Sequence, residues 1–312
     1  MPAEPSVRKD NIVVALVKAV RPKQATKNLF VYTALVFAGQ LFHAAQFLRA
    51  TIGFLLFTAV AGSIYLLNDL LDVEQDKIHP KKRFRPIASG SLPVPLAWAV
   101  FGVLGLCGTA AGFVLAPLFG LTLAAYFVLQ IAYCFRLKHM VLLDVFTVAT
   151  GFVLRTASGG FAINVHISPW LMLFSLQLAL FLGFGKRRQE LVLQGDNAGK
   201  TRAILSEYSL PFLDPMIVIV SAVTIVCYSV YSVDSPTAVT HPHLWVTVPF
   251  IIYGVCRYLY LVYQKGWGGA PDEVLLKDRE LLISVVLWFI AVLLVFKFDG
   301  AGKAIFDIGG FR

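Results

Sequence analysis

A chain of 312 residues that is 58% hydrophobic and only 14% charged, with a mean hydropathy of +0.74, lies outside the composition of soluble globular proteins. It reads as an all-α polytopic membrane protein. Its net charge of +9 is a topological signal, and nucleic-acid binding is the wrong inference from it.

The N-terminal segment, 1–28, carries Arg8, Lys9 and Asp10 ahead of a short apolar run from Asn11 to Val20, broken by Lys18, Arg21 and Pro22. That pattern predicts an interfacial helix and shows no cleavable signal peptide. A bilayer core takes about 20 apolar residues per helix. On that rule, spans are predicted near 29–48, 51–71, 96–115, 118–135, 141–162, 169–185, 213–231, 244–263 and 280–297. Nine helices thus occupy 29–297, and 298–312 forms a C-terminal tail. With the N-terminus inside, one face collects all but five of the 27 Lys and Arg, the exceptions being Arg49, Arg155, Lys297, Lys303 and Arg312. The positive-inside rule puts that face in the cytoplasm. Cys107, Cys134, Cys227 and Cys256 sit singly in apolar segments and read as small core residues, not as disulfides or metal ligands.

At the end of the second predicted span lies Asn68-Asp69-Leu70-Leu71-Asp72-Val73-Glu74-Gln75-Asp76, followed by His79-Pro80-Lys81-Lys82-Arg83-Phe84-Arg85-Pro86. If the helix continues past the membrane surface, Asn68, Asp72 and Asp76 fall at i, i+4 and i+8, and Asp69 joins them on one face. Their axial spread is about 12 Å, enough for one or two Mg²⁺ ions and a bridged diphosphate. Carboxylates this close repel one another without a cation. The bland alternative is a solvated acidic helix end.

These residues carry a family resemblance. Asn68-Asp69-x-x-Asp72-x-x-x-Asp76, with Arg83, Arg85-Pro86 and Ser89-Gly90 behind it, resembles the first aspartate-rich motif of the UbiA superfamily of intramembrane prenyltransferases. The resemblance implies a nine-helix bundle with a central cavity open to the cytoplasm, and a diphosphate bound through Mg²⁺ on Asn68, Asp69, Asp72 and Asp76. Weak signs of duplication fit it: Gly185 to Glu190 follows the sixth span as the acidic motif follows the second, and Tyr258 to Lys265 ends the eighth as Tyr133 to Lys138 ends the fourth.

Most members carry a second aspartate pair after the sixth helix, where this chain has Lys186-Arg187-Arg188-Gln189-Glu190. Three cations there favour phosphate oxygens over a second metal; an ordinary positive-inside flank is the competing reading. This block, with Arg21 to Asn28, Leu137-Lys138-His139 and Gly151 to Arg155, resembles the branch that transfers phosphoribosyl from phosphoribosyl diphosphate to decaprenyl phosphate. That branch implies a bacterial plasma-membrane enzyme, with phosphoribosyl diphosphate and a polyprenyl phosphate lipid as partners, in the synthesis of a lipid-linked pentose. A homo-oligomer is compatible with it. The substrate-binding candidates are Lys23, Lys27, Asn28, Lys82, Arg83, Arg85, Tyr133, Lys138, Arg155, Lys186, Arg187 and Arg188.

Arg155 lies about 14 residues into its span, where an ionisable group faces a cavity or a partner. It contacts substrate phosphate, or it pairs with a carboxylate such as Asp144, which shares its face at i+11, or a motif aspartate. Asp144 in turn could complete the metal site or hold Lys138. His79, His139 and His166 are isolated and offer no ligand spacing. The aromatics Tyr126, Phe127, Tyr133, Phe135, Phe146, Phe152 and Phe161 suit either a lipid tail or simple packing. An aromatic prenyltransferase is the rival enzyme, and it predicts the second aspartate motif that is missing here. A transporter is the rival of another class, and it leaves the clustered charges unexplained.

Overall fold

The computed structural model describes residues 11–194, 203–269 and 271–308, which are helical with no strand among them. Among the described residues, eight helices are long and apolar enough to cross a membrane. Their apolar spans follow the hydropathy reading to within a few residues for 96–115, 118–135, 141–162, 213–231, 244–263 and 280–297. Three helices run further than expected, the last of them, Arg279–Ile308, by eleven residues past the predicted 297. α3, Ala44–Leu71, begins seven residues before the predicted 51, and α8, Pro169–Gln194, continues nine residues past the predicted 185.

The first expected span, 29–48, is not formed as one helix. A 3-10 stretch, Pro22–Tyr32, leads into α2, Thr33–Phe37, and the chain then turns. Gly39 adopts φ +66° and the Gln40 N–H bonds to the Leu35 carbonyl at 3.0 Å, a helix-ending arrangement that a glycine makes cheap. The 3-10 geometry also changes the length. At about 2 Å per residue for eleven residues and about 1.5 Å for five, Pro22–Phe37 rises about 30 Å, although it has only sixteen residues.

The helices divide into two compact units. The first holds α1 (Ile12–Val20), the 3-10 stretch, α3, α4 (Val73–Ile78), α5 (Val94–Leu115), α6 (Pro117–Phe135) and the C-terminal half of α7 (Leu143–Ile163). Within it, Ala15 and Ala19 of α1 pack on Leu66 and Leu70 of α3, with Ile87 and Leu92 of the following turn and Ala97 of α5. Through Leu70 this small apolar cluster includes part of the acidic motif itself. Gly159 of α7 meets the 3-10 stretch so closely that an added Cβ would lie 2.0 Å from the Val31 carbonyl oxygen.

The second unit holds the N-terminal half of α7, α8, α9 (Leu210–Val233), α10 (Pro236–Thr240), α11 (Val248–Gln264), α12 (Pro271–Lys277) and α13 (Arg279–Ile308). Its core gathers Val145 and Ala149 of α7, Leu180, Phe181 and Phe184 of α8, Leu213 and Ile217 of α9, and Leu261 and Val262 of α11. α13 runs through position 297, the expected start of a tail, to Ile308.

Candidate active site

In the first unit α3 stops at Leu71, and Asp72, at φ −96° and ψ 7°, joins it to α4. Helical spacing survives the junction, because Asp72 N–H bonds to Asn68 O at 3.0 Å and Asp76 N–H to Asp72 O at 2.8 Å. Asp69 and Asp76, seven residues apart, therefore share a face, and both are almost fully buried, at 2% and 1% exposure. Buried carboxylates require counter-ions. Arg85 Nη1 donates to Asp69 Oδ1 at 3.1 Å and to Asp76 Oδ2 at 2.6 Å, and Arg21 Nη2 donates to the same Asp69 oxygen. Asp72 turns to Lys138, whose Nζ donates to its Oδ1 at 2.8 Å. The Asn68 side chain is half-buried and makes no hydrogen bond among the described residues.

Local sequence explains why two arginines reach this point. Arg21 is the left-handed C-cap of α1, φ 56°, and its guanidinium lies 5.1 Å over the Tyr65 ring. Arg85 precedes Pro86 and takes the extended conformation that proline imposes on its neighbour, φ −62° and ψ 145°. The apolar cluster of Ala15, Ala19, Leu66, Leu70 and Ile87 anchors both segments on α3.

Among the described residues no three His, Cys, Asp or Glu side chains gather closely enough to hold a metal ion. Two carboxylates nevertheless converge on one nitrogen, Arg85 Nη1, a point of concentrated positive charge between hard oxygen donors. Donor type and convergence both fit a divalent cation at that point once the guanidinium moves off.

The other expected residues differ in exposure and in partners. Lys23 is exposed on the 3-10 stretch, and Lys27, Tyr133 and Lys82 are half-buried. Arg83 is exposed and lies over the Phe84 ring at 5.0 Å. His79 Nδ1 accepts the backbone N–H of Lys81 and of Lys82, each at 3.2 Å, and so shapes the turn. Arg155 is buried: its Nε donates to Asn28 Oδ1 at 2.8 Å and its Nη2 to the Tyr126 hydroxyl at 2.9 Å, with the guanidinium 4.8 Å from the Tyr126 ring centre. Asn28 in turn donates to Thr58 Oγ1 at 3.0 Å. The suggested pairing of Arg155 with Asp144 fails on distance. The two share a helical face, but eleven residues of α7 separate them by about 16 Å.

In the second unit Asp144 is fully buried and meets Arg187, not Lys138. Arg187 Nε donates to its Oδ2 at 2.7 Å, and the Tyr208 hydroxyl donates to its Oδ1 at 2.6 Å. Arg187 Nη1 also donates to Glu190 Oε2 at 2.6 Å. Burial, and then the bond to Asp144, push the Tyr208 phenol well above its ordinary range, so it is a neutral donor. It accepts the N–H of Leu142, a residue held at φ 67°. Arg188 bonds to Asp214 at 2.6 Å and lies 4.5 Å over the Tyr263 ring. Lys186 is the most exposed of the three cations, and its Nζ lies 4.0 Å from Glu190.

The sequence candidates for substrate or metal did not include Arg21, Tyr208, Asp214, or Tyr126 as a hydrogen-bond partner. Arg21 alone left a sequence signal, a cation directly before a helix-breaking proline.

The model of the UbiA prenyltransferase family matches residues 28–266. A decaprenyl-phosphate phosphoribosyltransferase of Mycolicibacterium smegmatis is 35% identical over 289 residues, which cover 89% of this chain and 91% of that protein. The protein of the same name from Corynebacterium glutamicum is 35% identical over 293 residues, covering 91% and 87%. Among solved structures, a UbiA homolog from Archaeoglobus fulgidus bound to GPP and Mg²⁺ aligns with a TM-score of 0.68 over 91% of this chain and 99% of its own. At 19% identity it speaks to the fold alone.

Proposed function

The chain belongs to the UbiA prenyltransferase family, and from that premise we propose that it transfers the 5-phosphoribosyl group of phosphoribosyl diphosphate to a polyprenyl phosphate, releasing diphosphate. One observation carries the choice of donor: the aspartate-rich motif Asn68 to Asp76 has no second aspartate pair to match it, and Lys186, Arg187 and Arg188 stand after the sixth predicted span instead. One carboxylate cluster suits one diphosphate. The added cations suit the further phosphates of a phosphorylated sugar and a lipid phosphate. The relatives that match along nine tenths of the chain bear the name of this reaction.

In this reading Asp69 and Asp76, with Asp72 and Asn68, would hold a divalent ion, for which their all-oxygen donor set suits Mg²⁺. When bound, the ion neutralises charge growing on the leaving diphosphate. Arg85, Lys82, Arg83 and Lys138 bind diphosphate oxygens, and Tyr133 supports them. The bond from C1 to the diphosphate breaks through an oxocarbenium-like state, and a lipid phosphate oxygen forms the new bond to C1. That oxygen is ionised at neutral pH, so no strong general base is required. Arg155, through Asn28, fixes the 3-10 stretch and so orients Lys23 and Lys27. Arg187, shared between Asp144 and Glu190, anchors the end of α8, whereas Lys186 and Arg188, paired with Glu190 and Asp214, would bind phosphate by exchanging those partners for it. The charged loops face the cytoplasm of a bacterial plasma membrane, and the product is a lipid-linked pentose donor for cell-envelope polysaccharide.

Purified protein supplied with phosphoribosyl diphosphate and decaprenyl phosphate, and separately with a prenyl diphosphate and 4-hydroxybenzoate, tests the reading. Product is expected in the first mixture. Product in the second alone would make the chain an aromatic prenyltransferase.

A further inference from the structure

Asp69 and Asp76 are two buried negative charges, and Arg21 and Arg85 bring them two positive ones, the charge that a single divalent ion would bring. The match extends to atoms. Both guanidiniums bond to Asp69 Oδ1, and Arg85 also reaches Asp76 Oδ2, so the arginines hold the oxygens that a metal requires. They come from separate segments, the end of α1 and the turn after α4. Each keeps part of its side chain accessible, 29% and 24%, while the carboxylates are sealed. A metal entering alone would leave two carboxylates facing a divalent ion and two guanidiniums, an excess of positive charge in a poorly solvated place. A metal entering with a diphosphate supplies anionic oxygens that planar guanidiniums bind in pairs.

We infer that Arg21 and Arg85 are exchangeable counter-ions: they hold the carboxylates while no metal is bound and pass to diphosphate oxygens when the metal–diphosphate pair arrives. Arg21 is thereby a positioning residue for the leaving group. The pair of arginines makes the site select metal and diphosphate together over bare metal. The inference rests on the metal–diphosphate reading of the acidic motif, but not on which group is transferred.

The experiment makes two measurements on full-length protein in nanodiscs: binding of Mn²⁺ alone by its paramagnetic signal, and binding of inorganic pyrophosphate in the presence of saturating Mn²⁺ by calorimetry. Arg21→Gln is expected to bind Mn²⁺ about tenfold more tightly and pyrophosphate about tenfold more weakly, ~1.4 kcal/mol in each direction. An arginine that only braced α1 against α3 would, when removed, weaken both. Arg21→Lys keeps the charge and loses the fork, so it should return Mn²⁺ affinity towards wild type and restore pyrophosphate only in part. Unchanged or weakened Mn²⁺ binding in Arg21→Gln overturns the inference. If that variant does not fold, Arg85→Gln must show the same crossed pattern, and its absence there is equally decisive. Crossed binding without phosphoribosyl transfer would sink the proposed reaction and leave the counter-ion exchange standing.

Discussion

Replacing Asp144 by asparagine should destabilise the protein before it affects phosphate binding directly. Asp144 is fully buried, and the Arg187 side chain opposite it is only 6% exposed. Removing one partner of such a pair costs about 3–5 kcal/mol. Two features lower that figure. Glu190 still bonds to Arg187 at 2.6 Å with its own side chain 24% exposed, and asparagine can still accept one of the two hydrogen bonds. The expected loss is about 2–3 kcal/mol, a fall of roughly 3–5 °C in the unfolding temperature for a chain of this length. Tyr208→Phe removes the hydroxyl that donates to Asp144 and accepts from Leu142, at about 1–3 kcal/mol. Because both variants dismantle one node, the double variant should lose less than the sum. Thermal unfolding of the solubilised protein, followed by tryptophan fluorescence, measures all three. An Asp144→Asn protein that unfolds at the wild-type temperature while its KM for phosphoribosyl diphosphate rises would refute the structural assignment of Arg187.

Three further outcomes follow from the geometry. Asp72→Ala removes a carboxylate whose ion pair with Lys138 is partly exposed, 24% and 14%, so stability should change by less than about 1 kcal/mol while turnover falls by about 100-fold or more. Unfolding temperature and kcat, measured on the same preparation, check the split. Gly159→Ala would drive a Cβ to 2.0 Å from the Val31 carbonyl and push the 3-10 stretch off α7, at about 3 kcal/mol, and wild-type thermal stability would contradict that packing. The Arg257 guanidinium, bonded at 2.8 and 3.1 Å, holds the Asp278 carboxyl below its ordinary value of 3.8 against the opposing effect of burial. A carboxyl lowered in the folded state stabilises above its unfolded pKa and loses that contribution as the pH falls through the folded one. The stability difference between wild type and Asp278→Asn should therefore be present at pH 6 and shrink below about pH 4. A difference that persisted unchanged to pH 3 would rule out the ion pair as its source.

Most of the fold was legible because apolar run length is a one-dimensional signal, and six of the spans lie within a few residues of the hydropathy reading. The failures have physical causes. α8 extends beyond its apolar stretch because Lys186 to Glu190 is a polar helix held by side-chain pairs, which hydropathy does not register. The break at Gly39 and the long rise of the 3-10 stretch depend on backbone geometry, so a span counted in residues misplaced the first helix. The acidic motif was readable because its spacing is local. The bond of Asp144 to Arg187, 43 residues away, and that of Asp69 to Arg21, 48 residues away, are set by tertiary packing and had no local pattern to find. Helical periodicity even pointed the wrong way for Asp144 and Arg155, because a shared face says nothing of distance along the axis.

The proposed reaction is phosphoribosyl transfer with loss of diphosphate. Its most direct measurement is the stoichiometry in sealed proteoliposomes carrying decaprenyl phosphate and given phosphoribosyl diphosphate and Mg²⁺. One diphosphate is expected for each lipid converted, with the lipid gaining the mass of one phosphoribosyl group, and neither change in the Asp72→Ala protein. Diphosphate release without a change in lipid mass, or a lipid product formed equally well by Asp72→Ala, would contradict it.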